Sequence, residues 1–367
     1  MESRRSSIVI VGVVALGWIA PAESPWASRP QEATASESSA EAGGLPAPAT
    51  VQSAAIVDLE VGYRPEALGH SRVVRVWPVL PGERLTLPLE WREPRPERVS
   101  YRWVVVEGTE ESGAVELVGV ALAEKSAPRP LGADGVAVAP TEPGVYRLEL
   151  SAGARSRRLD GLELIVQVPF HLKEDGYLNG YHIGRYPTEG RNRTDRYAPP
   201  AGFIEVTPEN QSLRVSEHFR LREFLTKDQR SVWPKYVVVD PRLLDKLELV
   251  MQDLNAHGIR AERMAVMSGF RTPQYNRKGL SRGRASLSRH QYGDAADVWI
   301  DNDGDWYMDD LNGDGRRDTR DARVMRDAVD RVERRHPELV GGAGIYRDNG
   351  VHGPFIHIDA RGYRARW

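Results

Sequence analysis

Between residues 54 and 170 the apolar positions fall in short runs, at 73–79, 84–89, 101–106, 114–121, 145–150 and 162–168. In the second run Leu85, Leu87 and Leu89 alternate with Arg84, Thr86 and Pro88, the pattern of a strand with one buried face. Turn-forming residues separate the runs, and the spacing predicts an antiparallel sandwich of about seven strands. From 171 to 214 Gly, Pro, Tyr, Arg and Asn dominate and predict an irregular connector. Beyond it the period lengthens. Asp240 is a natural N-cap and Pro241 a natural first helical residue; Leu243, Leu244, Leu247, Val250, Met251 and Leu254 form one stripe that stops at Gly258. Strands are predicted around 264–267, 296–300, 343–346 and 355–359, with a helix near 322–332. The C-terminal part, 215–367, thus reads as α+β, a small antiparallel sheet backed by helices.

A chain of 367 residues exceeds one ordinary core, and the fold class is multidomain, an all-β sandwich followed by the α+β domain. Fifty Lys and Arg against 52 Asp and Glu leave a net charge of -2, which gives no ground for a nucleic-acid partner. There is no cysteine, so disulfides, thiolate metal sites and cysteine nucleophiles are excluded; any metal must rest on His, Asp or Glu. Arg4 and Arg5 precede an apolar run at 8–19, and Ala20-Pro21-Ala22 has the small-x-small form of a cleavage site. Residues 1–22 therefore read as a signal peptide rather than an uncleaved anchor, and the protein as periplasmic, envelope-associated or secreted. Residues 23–53, rich in Ala, Pro, Ser, Glu and Gly, read as a disordered linker.

The chemistry concentrates near the C-terminus. In Ser288-Arg-His290-Gln-Tyr-Gly293-Asp-Ala295-Ala-Asp297 a His and an Asp stand seven positions apart, with small residues between them that let backbone approach a metal. Sixty residues on, Phe355-Ile-His357-Ile-Asp359 places Phe355, His357 and Asp359 on one strand face. A buried imidazole and carboxylate need a partner, and Zn2+ supplies one. Two His and one Asp leave one tetrahedral position open, as a hydrolytic zinc centre requires.

These motifs, preceded by Ser268-Gly269-Phe270-Arg271-Thr-Pro-Gln-Tyr-Asn276 and by Ser216-Glu-His-Phe219, resemble the zinc D-alanyl-D-alanine carboxypeptidases and murein endopeptidases, relatives of the hedgehog fold. The resemblance covers about 215–367. It implies His290, Asp297 and His357 as zinc ligands, and Arg271 in the cleft, holding a substrate carboxylate or the oxyanion. It implies cleavage of D-amino-acid bonds in the stem peptides of peptidoglycan, or else a non-catalytic wall-binding module or a hydrolase of another substrate. Ser288 is expected to contact substrate or to cap locally. Where relatives carry a Glu three residues before the last ligand, this chain has Pro354, so Asp359 or His352 is expected to take the proton, the other role open to Asp359 being to orient a ligand from behind. The remaining histidines, His70, His171, His182, His218, His257 and His336, have no spaced partner. Upstream, 54–170 resembles an immunoglobulin-like module with Pro143-Gly144-Val145-Tyr146 as a turn, and is expected to be a spacer.

A second metal is expected in the insertion 301–321. Asp310, Asn312, Asp314, Arg316 (through its carbonyl), Asp318 and Asp321 match a twelve-position calcium loop with Gly315 at position six, resembling the calcium loops of extracellular dockerin-type modules. Asp301, Asp303 and Asp305 are expected to add ligands or simply to form a turn.

Overall fold

The computed structural model describes residues 58–106, 127–191 and 195–367. The segments expected as signal (1–22) and linker (23–53), and the strand expected at 114–121, lie outside the described residues.

In the N-terminal half the main sheet runs, side by side, Val76–Val79, Glu163–Val166, Gly144–Ala152, Ser100–Val105 and Arg129–Pro130, with Arg155–Arg158 also paired to Gly144–Ala152. Glu163–Val166 lies parallel to Val76–Val79 and antiparallel to Gly144–Ala152, so the expectation of a purely antiparallel arrangement is corrected: the sheet is mixed. Val61–Tyr63 pairs with Leu89–Trp91, and Arg84–Thr86 pairs with Val136–Val138. The run at 84–89 is therefore not one strand. Pro88 has no amide hydrogen for a ladder, and the chain changes partners around it. Leu85, Leu87 and Leu89 are nonetheless all buried, in a core shared with Tyr101, Leu148 and Leu150.

The stretch 171–214 is less irregular than its composition predicts. Gly202–Val206 is a strand between Val168–Pro169 and Lys235–Val237, burying Phe203, Ile204 and Val206. Pro199 and Pro200 before it and Pro208 after it disguise this short apolar run.

The C-terminal sheet comprises β1 (Met264–Ser268), β2 (Ala295–Ile300), β3 (Gly342–Tyr346), β4 (Phe355–Asp359) and β5 (Ala365–Arg366), in the order β1-β2-β4-β3-β5. All neighbours are antiparallel except β3 and β5. Helix α1 (Pro241–Ala256) begins as the sequence predicts: the Asp240 side chain accepts the Arg242 amide at 2.9 Å, and the predicted stripe is buried. Short helix α2 is Pro273–Arg277, and α3 (Thr319–Arg335) packs on α1 and on the β3–β4 pair. Asp318 and Asp321 close a capping box at the start of α3.

Candidate metal centre

Backbone pairing brings the ligands together. Asp297 on β2 stands directly opposite His357 on β4, and on its other side opposite Ser268 of β1, just past a register shift between Val266 and Ser268. His290 arrives from a 3-10 turn, Arg289–Tyr292, that leads into β2 through Gly293. Gly293 has φ of 74°, and a Cβ there would lie 2.4 Å from the Val238 carbonyl oxygen, so only glycine fits.

His290, Asp297 and His357 are all buried. His290 Nε2 lies 3.2 Å from Asp297 Oδ1 and 3.1 Å from His357 Nδ1, and His357 Nδ1 lies 3.0 Å from the same Asp297 oxygen. Zinc bonds of about 2.0–2.1 Å in a tetrahedron put donor atoms roughly 3.3 Å apart, so this triangle has the size a zinc ion needs.

The other ring nitrogens decide the chemistry. His290 Nδ1 is 2.7 Å from the Gly269 carbonyl oxygen, which can only accept, so Nδ1 carries the hydrogen and Nε2 turns a lone pair inward. His357 faces a carboxylate at each ring nitrogen, Asp359 at Nε2 and Asp297 at Nδ1, both at 3.0 Å; with an ion in the triangle the hydrogen would stay on Nε2 toward Asp359 and Nδ1 would be the inward donor atom. Burial, aided by Arg271, pushes His290 down to about 4, so it stays neutral. Burial also works against charge on His357, but Asp297 and Asp359 outweigh it and raise its pKa. Burial disfavours charge on Asp297 too, yet His290, His357 and Arg271 hold it well below the usual carboxylate range. Neutral imidazole and carboxylate thus converge where positive charge is wanted, and a divalent cation meets that demand.

The contacts bear on two expected roles, and for Asp359 they favour the ligand-orienting one. Asp359 is not placed as a base. It is fully buried behind His357, where Oδ2 accepts from His357 Nε2 and from Arg361 at 2.5 Å while Oδ1 accepts the Gly342 amide at 2.8 Å. The imidazole stands between it and the ligand triangle. Arg271 does not reach freely into a cleft: its Nη2 donates to Asp297 Oδ2 and its Nε donates to Ser268 Oγ at 2.8 Å. It fixes the ligand carboxylate through the oxygen not turned to the triangle.

His352 lies in the loop before β4, with Nδ1 2.8 Å from the Gly353 carbonyl and its ring edge-on to Phe355 at 4.8 Å. Ser288 opens the turn that carries His290; its carbonyl accepts the Gln291 amide, and its hydroxyl makes no capping bond. Sequence reasoning missed Gly269, whose carbonyl sets the His290 tautomer, and Trp367, whose ring lies 5.3 Å from that of His357. Neither residue type signals such a role in a sequence.

The carboxylates of the expected calcium loop do not converge among the described residues. Among the described residues, three sets of His, Asp and Glu bring ligand atoms together: His290, Asp297 and His357; Asp301, Asp303 and Asp309; and His70, His336 and Glu338. None comes from the 310–321 loop. There Asp310 accepts the amides of Gly313, Asp314 and Gly315, and Asp321 accepts those of Leu311, Asn312 and Asp318. Asn312 receives the Asp314 amide, Asp314 the Arg316 amide, and Arg320 bridges Asp314 and Asp318. The turn satisfies its own oxygens.

The Peptidase M15 family model matches residues 217–312, a minority of the 367. The match supports a zinc metallopeptidase domain of that family. It takes in Arg271, His290 and Asp297 and ends before β4, so His357 lies outside the match and joins the set through its own strand motif and the geometry. No curated protein and no solved structure matches the chain.

Proposed function

We propose that this chain is an exported zinc peptidase that hydrolyses D-amino-acid-containing peptide bonds in peptidoglycan stem peptides, as a D,D-carboxypeptidase or murein endopeptidase. One observation carries the hydrolytic reading: the buried ligand triangle of His290, Asp297 and His357, with one ring nitrogen of each imidazole and one carboxylate oxygen turned toward a common point. The substrate class is supported by the motifs around Ser268, His290 and His357 and by the family match, and the export reading by the sequence at 4–22.

A zinc ion held by these three residues supplies Lewis-acid polarisation of the scissile carbonyl and brings the pKa of water to about 7. The chain's own residues do the rest. Arg271 neutralises and orients Asp297, and Asp359, itself held by Arg361, orients His357. With Asp359 committed behind the ring, His352 in the loop just before β4 is the candidate left to accept the proton.

Metal content and digestion of purified sacculi test this together. One zinc per chain with altered muropeptides, both abolished in His290→Ala, is the expected result. Bound zinc with an unchanged muropeptide profile would instead favour a wall-binding module without catalysis, the reading that Pro354 at the usual glutamate position suggests.

A further inference from the structure

We propose that Asp301, Asp303 and Asp309 form a second cation site, selective for calcium, in the turn that leaves β2. One carboxylate oxygen of each lies within 4.8 Å of the others. A cluster of acids alone would mean little, but Asp301 is fully buried and neither of its oxygens has a hydrogen-bond partner. The backbone amides of Gly304 and Trp306 lie near enough to lower its pKa in part, but burial outweighs them. Its ion pair is with half-exposed Arg263, at 3.3 Å. A desolvated carboxylate held this loosely is costly, and burial raises its pKa accordingly.

The surroundings ask for two more positive charges. Asp301, Asp303, Asp305 and Asp309 face Arg263 and Arg317, the latter bound to Asp303 and Asp305. Arg260, on the same rim, is paired with Glu262 at 2.7 Å. Asp309 is steadied through Oδ2 by the Asn302 amide at 3.0 Å and side chain at 2.8 Å, which leaves Oδ1 without a protein donor among the described residues. An all-oxygen set selects a hard cation. Three carboxylates favour calcium, because magnesium retains most of its waters and takes one or two carboxylates. The ion would tie down the turn four residues beyond Asp297. This site uses none of the carboxylates of the 310–321 loop, although Arg317 of that loop reaches Asp303 and Asp305, and it does not depend on the peptidase reading.

Terbium, a calcium-sized ion whose emission is sensitised by a nearby indole, is a suitable probe because Trp306 lies in the same turn. The full chain, stripped of calcium on a chelating resin and resupplied with zinc, is titrated with Tb3+ under tryptophan excitation. Saturable emission displaced by Ca2+ but not by equal Mg2+ is expected, with the midpoint moved at least tenfold in Asp301→Asn and Asp303→Asn and unmoved in Asp310→Asn. Asp303 is exposed, so its variant keeps the test valid should Asp301→Asn fail to fold. Emission absent from the wild type, insensitive to calcium, unchanged in Asp303→Asn, or lost only in Asp310→Asn overturns the proposal.

Discussion

His357 is gripped from both sides, by Asp297 at one ring nitrogen and Asp359 at the other, and the two carboxylates have different jobs. If Asp359 orients the ring, Asp359→Ala should weaken zinc binding roughly 10–100-fold in a chelator competition, as outer carboxylates of metal-bound histidines do. Activity should then return largely at saturating zinc. Persistent inactivity of the fully loaded variant would restore Asp359 as the base. The His–Asp–His set was legible in the sequence because strand alternation and close spacing report which residues share a face. Alternation says nothing about which oxygens of Asp359 are already taken, and that is why the sequence left its base and orienting roles both open. The same limit applies to Arg271, whose neighbour Ser268 was in plain view while its bond to Asp297 was not.

At the scale of elements, α1 shows how far periodicity reaches. The apolar stripe was readable, yet Asp245, Lys246, Glu248 and Asp253, which lie off it, are buried too. Each has a partner from another element: Lys246 Nζ donates to Glu333 at 2.7 Å and to the Asp359 carbonyl at 2.7 Å, while Asp253 receives Arg331 and Arg335. A 3.6-residue period cannot foresee such pairs, because the partners come from distant segments. Lys246→Ala leaves Glu333 buried with its charge compensated by Arg366 alone, and should cost about 3–5 kcal/mol in urea unfolding. His218 donates toward Glu248 at 2.7 Å, and this carboxylate raises its pKa. The protonated form is therefore favoured on folding. Its contribution is complete below the ordinary value of about 6.5 and is lost as pH rises through the higher folded value. His218→Gln should flatten that part of the stability profile, by a modest amount because the ring is partly exposed. A profile identical to wild type would contradict the assignment.

Across the whole molecule, the N-terminal strands are not a detached spacer. They have a core of their own, but Val74, Val76, Val145, Ile165 and Val168 belong to the same apolar cluster as α1 and the metal-bearing sheet. Asp245 on α1 receives the Ser71 amide at 2.6 Å and the His70 amide at 2.9 Å, and Arg75 pairs with Glu217 at 2.9 Å. Calorimetry should accordingly show the two regions melting together. Asp245→Ala should speed hydrogen exchange at 70–76 without altering zinc content; unchanged exchange would mean that these bonds do not hold the regions together. Chelating the zinc should lower the melting temperature, and adding it back should restore it, since a ligand bound only to the folded state stabilises by mass action. Gly344, opposite His357 on β3, has no side chain, and the indole of Trp367 fills the space, where a Cβ would lie 2.2 Å from the ring. That indole also donates to Tyr346 Oη at 2.9 Å. Because indole fluorescence responds to the charge of an adjacent imidazole, the difference in emission between the wild type and Trp367→Phe becomes a built-in optical gauge of how full the neighbouring pocket is.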